Sequence, residues 1–312
     1  MIRTRHLAEA ASRTRAPWLA LFLFASIACE SPDRLSSPTP TDGIRAAAGA
    51  TSRFQGIPFG AFAQPVSLYG PIYTGGQMNP QRPESLLIRL SAIKAAKGRV
   101  ILSLPGGPAQ FTNADGTFNF DLWKQRVARY TSVEFGSYIS DGTVIGNYII
   151  DQPNCSACWG GQSIPQSTVE AMAQYSKSLW PAMAAITRAD PTWLAEYPGQ
   201  YVYLDAGWAQ YVMRKGDVNT YLSDNLAAAQ SKGLRLVVGL NLLNGSLDGT
   251  NLTASQIKDF GSVLVSSSYA CAFISWQYSA TYFSQSDIQS ALSLLSKKAA
   301  RHVASSCSRP QN

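Results

Sequence analysis

Between Ile57 and Val303 the chain alternates short apolar runs with segments whose apolar residues recur every 3.6 positions, and this alternation restricts the fold more than any other feature. The runs are Ile57 to Ala63, Arg99 to Leu104, Val144 to Asp151, Ala182 to Arg188, Tyr201 to Asp205, Leu234 to Leu240 and Cys271 to Ser275. They are too continuously apolar to leave one face in water, so they read as strands of a parallel sheet covered on both sides. The segments between them read as helices: Leu86, Leu87, Leu90 and Ile93 share one face, as do Val169, Met172, Ala173 and Ser176. Start signals accompany them in Pro83, Asp121, Pro165, Asp217, the Thr253/Gln256 capping box and the Ser284/Asp287 pair.

About seven such units over roughly 260 residues fit a (β/α)8 TIM barrel better than an open doubly wound sheet. The count falls one strand short. An irregular or seven-stranded barrel, or a strand hidden in Val66 to Arg82, reconciles it, and an open parallel α/β sheet is the alternative. No GxGxxG or Walker pattern marks a nucleotide site, and no cofactor is expected.

Ahead of the alternation, Arg3, Arg5, Arg13 and Arg15 precede the apolar run Pro17 to Ala25, the pattern of an export signal and too short for a membrane span. The run ends in Ser26-Ile27-Ala28-Cys29, which resembles a bacterial lipoprotein signal with Cys29 as the lipidated residue. The expected organisation is a signal over residues 1–28, a Ser/Thr/Pro-rich tether over 29–53 and a barrel domain over 54–312. The expected location is exported and membrane-anchored through the lipid, in the periplasm or at the cell surface.

Composition narrows the function. Formal charge is +7, and removing residues 1–28 leaves 22 basic and 18 acidic residues with no basic block, so no nucleic-acid footprint is present. Beyond Cys29, the four cysteines Cys155, Cys158, Cys271 and Cys307 suit an oxidising compartment and allow three connectivities, with Cys155–Cys158 and Cys271–Cys307 favoured. The only histidine after residue 28 is His302, on a helix, so neither a zinc site nor a Ser-His-Asp or Cys-His nucleophile is expected.

Polar residues concentrate where strands end. Gln64, Asp151, Arg188, Asp205, Asn241 and Trp276 each close an expected strand, and in a barrel those ends meet on the face where sites are built. Trp159, Trp208, Tyr211 and Tyr278 sit in or beside the same loops, with Gln152 and Asn154 following Asp151. Aromatic faces stack on sugar rings while amides and acids bond hydroxyls, and two carboxylates on one face are the apparatus of glycoside hydrolysis. The expected site therefore pairs Asp151 and Asp205 as acid/base or nucleophile, with Arg188, Asn241 and Trp276 holding a carbohydrate.

The runs Gly146-Asn147-Tyr148-Ile149-Ile150-Asp151-Gln152-Pro153, Leu204-Asp205-Ala206-Gly207-Trp208, Gly239-Leu240-Asn241 and Ser275-Trp276 together resemble the glycoside-hydrolase-like TIM barrels of bacterial exported proteins. That resemblance implies a glycosidase acting on an extracellular or periplasmic glycan. Such barrels often carry Asp-Glu-Pro where this chain has Asp151-Gln152-Pro153, and glutamine neither donates nor takes up a proton at neutral pH. None of Glu84, Glu134, Glu170 and Glu196 falls at a strand end. A second expectation stands beside hydrolysis: a surface protein that binds carbohydrate on a degenerate barrel without cleaving it.

Overall fold

A computed structural model describes residues 54–309; the signal, the lipidation site Cys29 and the tether expected in residues 1–53 lie outside the described residues. The described residues form a closed barrel of eight parallel strands, each hydrogen-bonded to its sequence neighbours, with β8 closing on β1. In order they are β1 Phe59–Phe62, β2 Gly75–Met78, β3 Arg99–Leu102, β4 Val144–Asp151, β5 Ala185–Arg188, β6 Ala206–Tyr211, β7 Arg235–Leu240 and β8 Ala270–Ser275. The helices are α1 Leu86–Ala95, α2 Phe120–Ala128, α3 Gly136–Ser140, α4 Gln166–Leu179, α5 Pro191–Ala195, α6 Val218–Ser231, α7 Ala254–Val265, α8 Ala280–Phe283 and α9 Ser286–Ala299. The barrel, rather than an open sheet, is the fold.

The eighth strand is β2, inside Val66 to Arg82. Its sequence, Gly-Gly-Gln-Met, carries no strand propensity because the glycines serve a close approach. A Cβ on Gly60 of β1 would lie 1.8 Å from the Gly75 carbonyl oxygen, and one on Gly75 would lie 2.4 Å from Pro58 Cβ.

One expected strand is not a strand. Tyr201 to Asp205 has the right residues, but its backbone groups are taken by side chains. The Glu170 carboxylate on α4 accepts from the amides of Val202, Tyr203 and Leu204 at 2.6, 2.8 and 3.0 Å. The Arg309 guanidinium donates to the carbonyls of Tyr201 and Val202. With these donors and acceptors spent, ladder pairing begins only at Ala206.

Helix starts follow capping chemistry with two corrections. Asp217 caps α6 by accepting from Asn219 and Thr220, and Thr253 and Gln256 form the full capping box of α7. Asn119, not Asp121, caps α2, and Asp121 instead pairs with Lys124 at 2.7 Å. Ser284 ends α8, leaving Gln285 as the residue before α9.

Apolar side chains fill both layers. Trp123, Val169, Met172, Leu222, Ile257, Leu264, Leu292 and Leu295 pack between strands and helices, while Phe62, Ile101, Tyr148, Ile186, Trp208, Val237 and Ile274 fill the barrel itself. The Cys271–Cys307 disulfide ties the C-terminal segment to the start of β8, and Cys155–Cys158 staples the loop after β4.

Candidate binding site at the open end of the barrel

The C-terminal ends of the strands converge on an aromatic floor. Phe62 of β1 lies 4.6 Å from Trp208 of β6, 5.5 Å from Tyr148 of β4 and 5.1 Å from Trp276, ring centre to ring centre. Trp208 and Tyr148 are inward residues of their strands, and Trp276 follows β8 directly. The Arg188 guanidinium at the end of β5 lies over this floor, 4.7 Å from the Trp276 ring centre and 5.3 Å from that of Phe62.

Arg188 is held from the side by Asp151. The two residues are register partners at the ends of β4 and β5, and they pair through both nitrogen–oxygen contacts of a fork: Nε to Oδ1 at 2.6 Å and Nη2 to Oδ2 at 3.0 Å. The Tyr148 hydroxyl is buried beside this pair without completing a hydrogen bond of ordinary geometry. Burial, reinforced by the Asp151 charge, pushes its pKa well above the usual tyrosine value. Burial works to lower that of Arg188, but Tyr148 and Asp151 outweigh it and hold it above the ordinary guanidinium value. At neutral pH the floor therefore presents a phenol and a paired cation.

Beside the ion pair opens a cleft of about 180 Å3 lined by Gln152, Asn154, Arg188, Trp208, Gln210 and Asn241, with Asp190, Arg214 and Lys215 at its wall. Among the described residues, buried atoms on three of these lining residues have no hydrogen-bond partner: Trp208 Nε1, Gln210 Oε1 and Nε2, and Asn241 Oδ1. Asp190 is engaged on both oxygens, by Lys215 Nζ at 2.6 Å and the Tyr221 hydroxyl at 2.7 Å. Gln152 turns the chain out of β4 with φ +43°, and its carbonyl accepts from Trp159 Nε1 at 3.0 Å. Among the described residues no group of three or more His, Cys, Asp or Glu side chains is placed to hold a metal ion.

The structure thus brings together Asp151, Arg188, Trp208, Asn241, Trp276, Gln152 and Asn154. It separates Asp205 from them, which corrects the expected acid pair. Asp205 precedes β6 and sits at the opposite end of the barrel, where it accepts from Ala185 N at 2.8 Å, pairs with Lys177 Nζ at 2.7 Å and accepts from Arg309 N at 2.9 Å. Ala185 is the first residue of β5 and Arg188, beside Asp151, the last, so the acids differ in level by roughly 10 Å at the rise of a strand.

Three expected sugar contacts are also packing residues. Trp159 is 1% exposed and lies against Phe111 and Phe118 beneath the stapled loop. Tyr211 points outward from β6 to Tyr221 and Phe260, its hydroxyl bonded to Gly216 O. Tyr278 packs edge-on against Phe283 at 5.0 Å. Gln64 is buried at the end of β1, where its Oε1 accepts from Ala61 N at 3.2 Å while Nε2 has no partner.

Gln210, Tyr148 and Asp190 belong to the site and are not among the expected residues. Gln210 was within reach of sequence reasoning, since it lies two positions after Trp208 and so on the same strand face. Misplacing β6 hid it.

No protein-family model and no curated protein sequence matches the chain. Among solved structures it is similar in fold to a cellulase in complex with an inhibitor, at TM-score 0.54 and 10% identity over 79% of this chain and 93% of that one. It is also similar to the native β-glucanase SdGluc5_26A of Saccharophagus degradans, at 0.53 and 10% over 79% and 89%. A β-glucuronidase from an uncultured Clostridium gives 0.52 and 10% over 78% of this chain and 50% of that one. At these identities the likeness is one of fold: a closed barrel of eight parallel strands with surrounding helices.

Proposed function

We propose that the open end of this barrel binds carbohydrate and does not hydrolyse it. The observation that carries the reading is the group of buried, unpartnered atoms on Trp208, Gln210 and Asn241 beside the half-buried Trp276. Unmet donors and acceptors are costly unless a ligand completes them. A polyol offers both kinds of group at short spacing, and its C–H faces suit the neighbouring indole.

Two features argue against turnover. Hydrolysis asks one carboxyl group to deliver a proton to the glycosidic oxygen and another to act as base or nucleophile. Here both oxygens of Asp151 are committed to Arg188, and both of Asp190 to Lys215 and Tyr221. Among the described residues no glutamate lines the cleft. We place the protein outside the cytoplasm, held to a membrane through Cys29; the two disulfides support an oxidising compartment.

A panel of soluble glycans tests the reading. Saturable binding with no reducing ends released is expected. Release of reducing ends that Asp151→Asn abolishes would overturn it in favour of a hydrolase.

A further inference from the structure

We infer that the glycan is anionic and that a second pocket at the open end, built around Arg126, receives one of its carboxylates. This rests on the carbohydrate-binding reading and adds a substrate class to it. The pocket measures about 400 Å3 and lies between the loops that follow β2 and β3, bounded by Asn79, Gln81, Gly106, Gly107, Gln110 and Arg126.

Its lining is rich in unspent donors. Arg126 projects from α2 and donates Nε to the Pro105 carbonyl at 3.3 Å, and among the described residues neither terminal nitrogen has a hydrogen-bond partner. Asn79 turns its Oδ1 to Gln81 N at 3.1 Å, which leaves the amide nitrogen to face the pocket. The two meet over Gly106, where the position of an added Cβ is 3.5 Å from Arg126 Nη2 and 3.7 Å from Asn79 Nδ2. Gly106 has φ +86°, a conformation that favours glycine and keeps this floor free of a side chain.

The surrounding charge is predominantly positive. Arg129 donates to the carbonyls of Arg126 and Gln81, and Arg89 to that of Asn79, so both brace the same loops through backbone oxygens rather than acids. Among the described residues none of Arg89, Arg126 and Arg129 joins an ion pair. Burial and the neighbouring Arg129 depress the Arg126 pKa, with Tyr130 partly offsetting them. Glu84 acts on Tyr130 alongside these three arginines. A guanidinium fork with two free nitrogens matches a planar carboxylate.

The pocket and the cleft both lie at the open end of the barrel, the pocket on the loops after β2 and β3 and the cleft on the ends of β4 to β7. A small cavity shares Gly106 and Pro108 with the pocket and extends to Tyr148 and Asp151, whose partner Arg188 lines the cleft. A chain of sugar units lying over the aromatic floor would carry one uronate to Arg126.

Two matched polymer pairs test this: polygalacturonate with its methyl ester, and alginate with its propylene glycol ester, titrated at low salt. At least one acid form is expected to bind roughly tenfold or more tightly than its ester, with the difference lost in high salt. Arg126→Gln is expected to bring the acid form down to the ester's affinity without changing the ester's, and Arg129→Gln to do so in part, both with unchanged thermal melts. Equal affinity for acid and ester would overturn the inference while leaving carbohydrate binding intact. Tighter binding of dextran sulfate than of either uronate would also overturn it, assigning the pocket to sulfate esters. Binding of no polymer, charged or neutral, would remove the carbohydrate reading itself.

Discussion

Asp151 and Arg188 end adjacent parallel strands and close on each other through two contacts, 2.6 Å from Nε to Oδ1 and 3.0 Å from Nη2 to Oδ2. The arginine side chain is 7% exposed and the aspartate 30%, so the cation depends on this partner more than the anion does. The pair turns what the sequence presents as a catalytic acid into the anchor of a positioned guanidinium.

Removing the anion should therefore cost more than removing the pair. Asp151→Asn leaves a buried guanidinium without its counter-charge and is expected to destabilise the fold by about 2–4 kcal/mol. The double variant Asp151→Leu/Arg188→Met should be less destabilised than Asp151→Asn alone. Urea midpoints of the three proteins decide the order, and equal losses would mean the pair is not coupled.

Gln210 separates stability from binding. Both polar atoms of its amide are buried without partners, so Gln210→Leu, of similar volume, removes an unmet desolvation cost. It should raise stability by about 1 kcal/mol while weakening glycan affinity about tenfold. A variant that is less stable, or that binds as before, would contradict the assignment of these atoms to a ligand.

The C-terminal closure should matter more to the fold than the loop staple. Cys271–Cys307 spans 36 residues and Cys155–Cys158 only 3. On loop entropy, Cys307→Ser should cost about 3–4 kcal/mol and Cys158→Ser nearer 2. Thermal melts rank the two. Cys158→Ser should have the larger effect on glycan affinity, because its loop carries Gln152 and Asn154.

Alkali should unfold the barrel through its tyrosines. Burial pushes Tyr73 up to about 12, helped by Tyr278, and raises Tyr69, Tyr148, Tyr221 and Tyr282 as well. A raised folded-state pKa stabilises below the unfolded value near 10 and loses that contribution as pH climbs through the folded one. Stability should hold to pH 10 and then fall steeply toward pH 12, with tyrosinate absorbance rising together with loss of structure. Gradual ionisation from pH 9 without unfolding would contradict the burial of these hydroxyls.

The sequence and the structure agree wherever a residue pattern met no competing partner. Strand β4, with its apolar run from Val144, and the capping box of Thr253 and Gln256 were legible because local chemistry alone decides them. Strand β2 was not, since Gly75 and Gly76 are chosen for the approach of Pro58 and Tyr69 rather than for extended conformation. The costliest misreading was Tyr201 to Asp205, where Glu170 and Arg309 occupy the backbone that a strand would use. That shift carried Asp205 from the open end to the opposite end of the barrel. The orphaned atoms of Trp208 and Asn241 have no sequence signature at all, because a missing partner is visible only in three dimensions.

The most direct test of the central claim follows one tight-binding oligosaccharide in two ways: calorimetric titration into the full chain, and chromatography of the same oligosaccharide after prolonged incubation. A saturable isotherm abolished by Trp276→Ala, with the oligosaccharide recovered intact, is the predicted result. Shorter products appearing in proportion to protein, and vanishing with Asp151→Asn or Asp190→Asn, would contradict it.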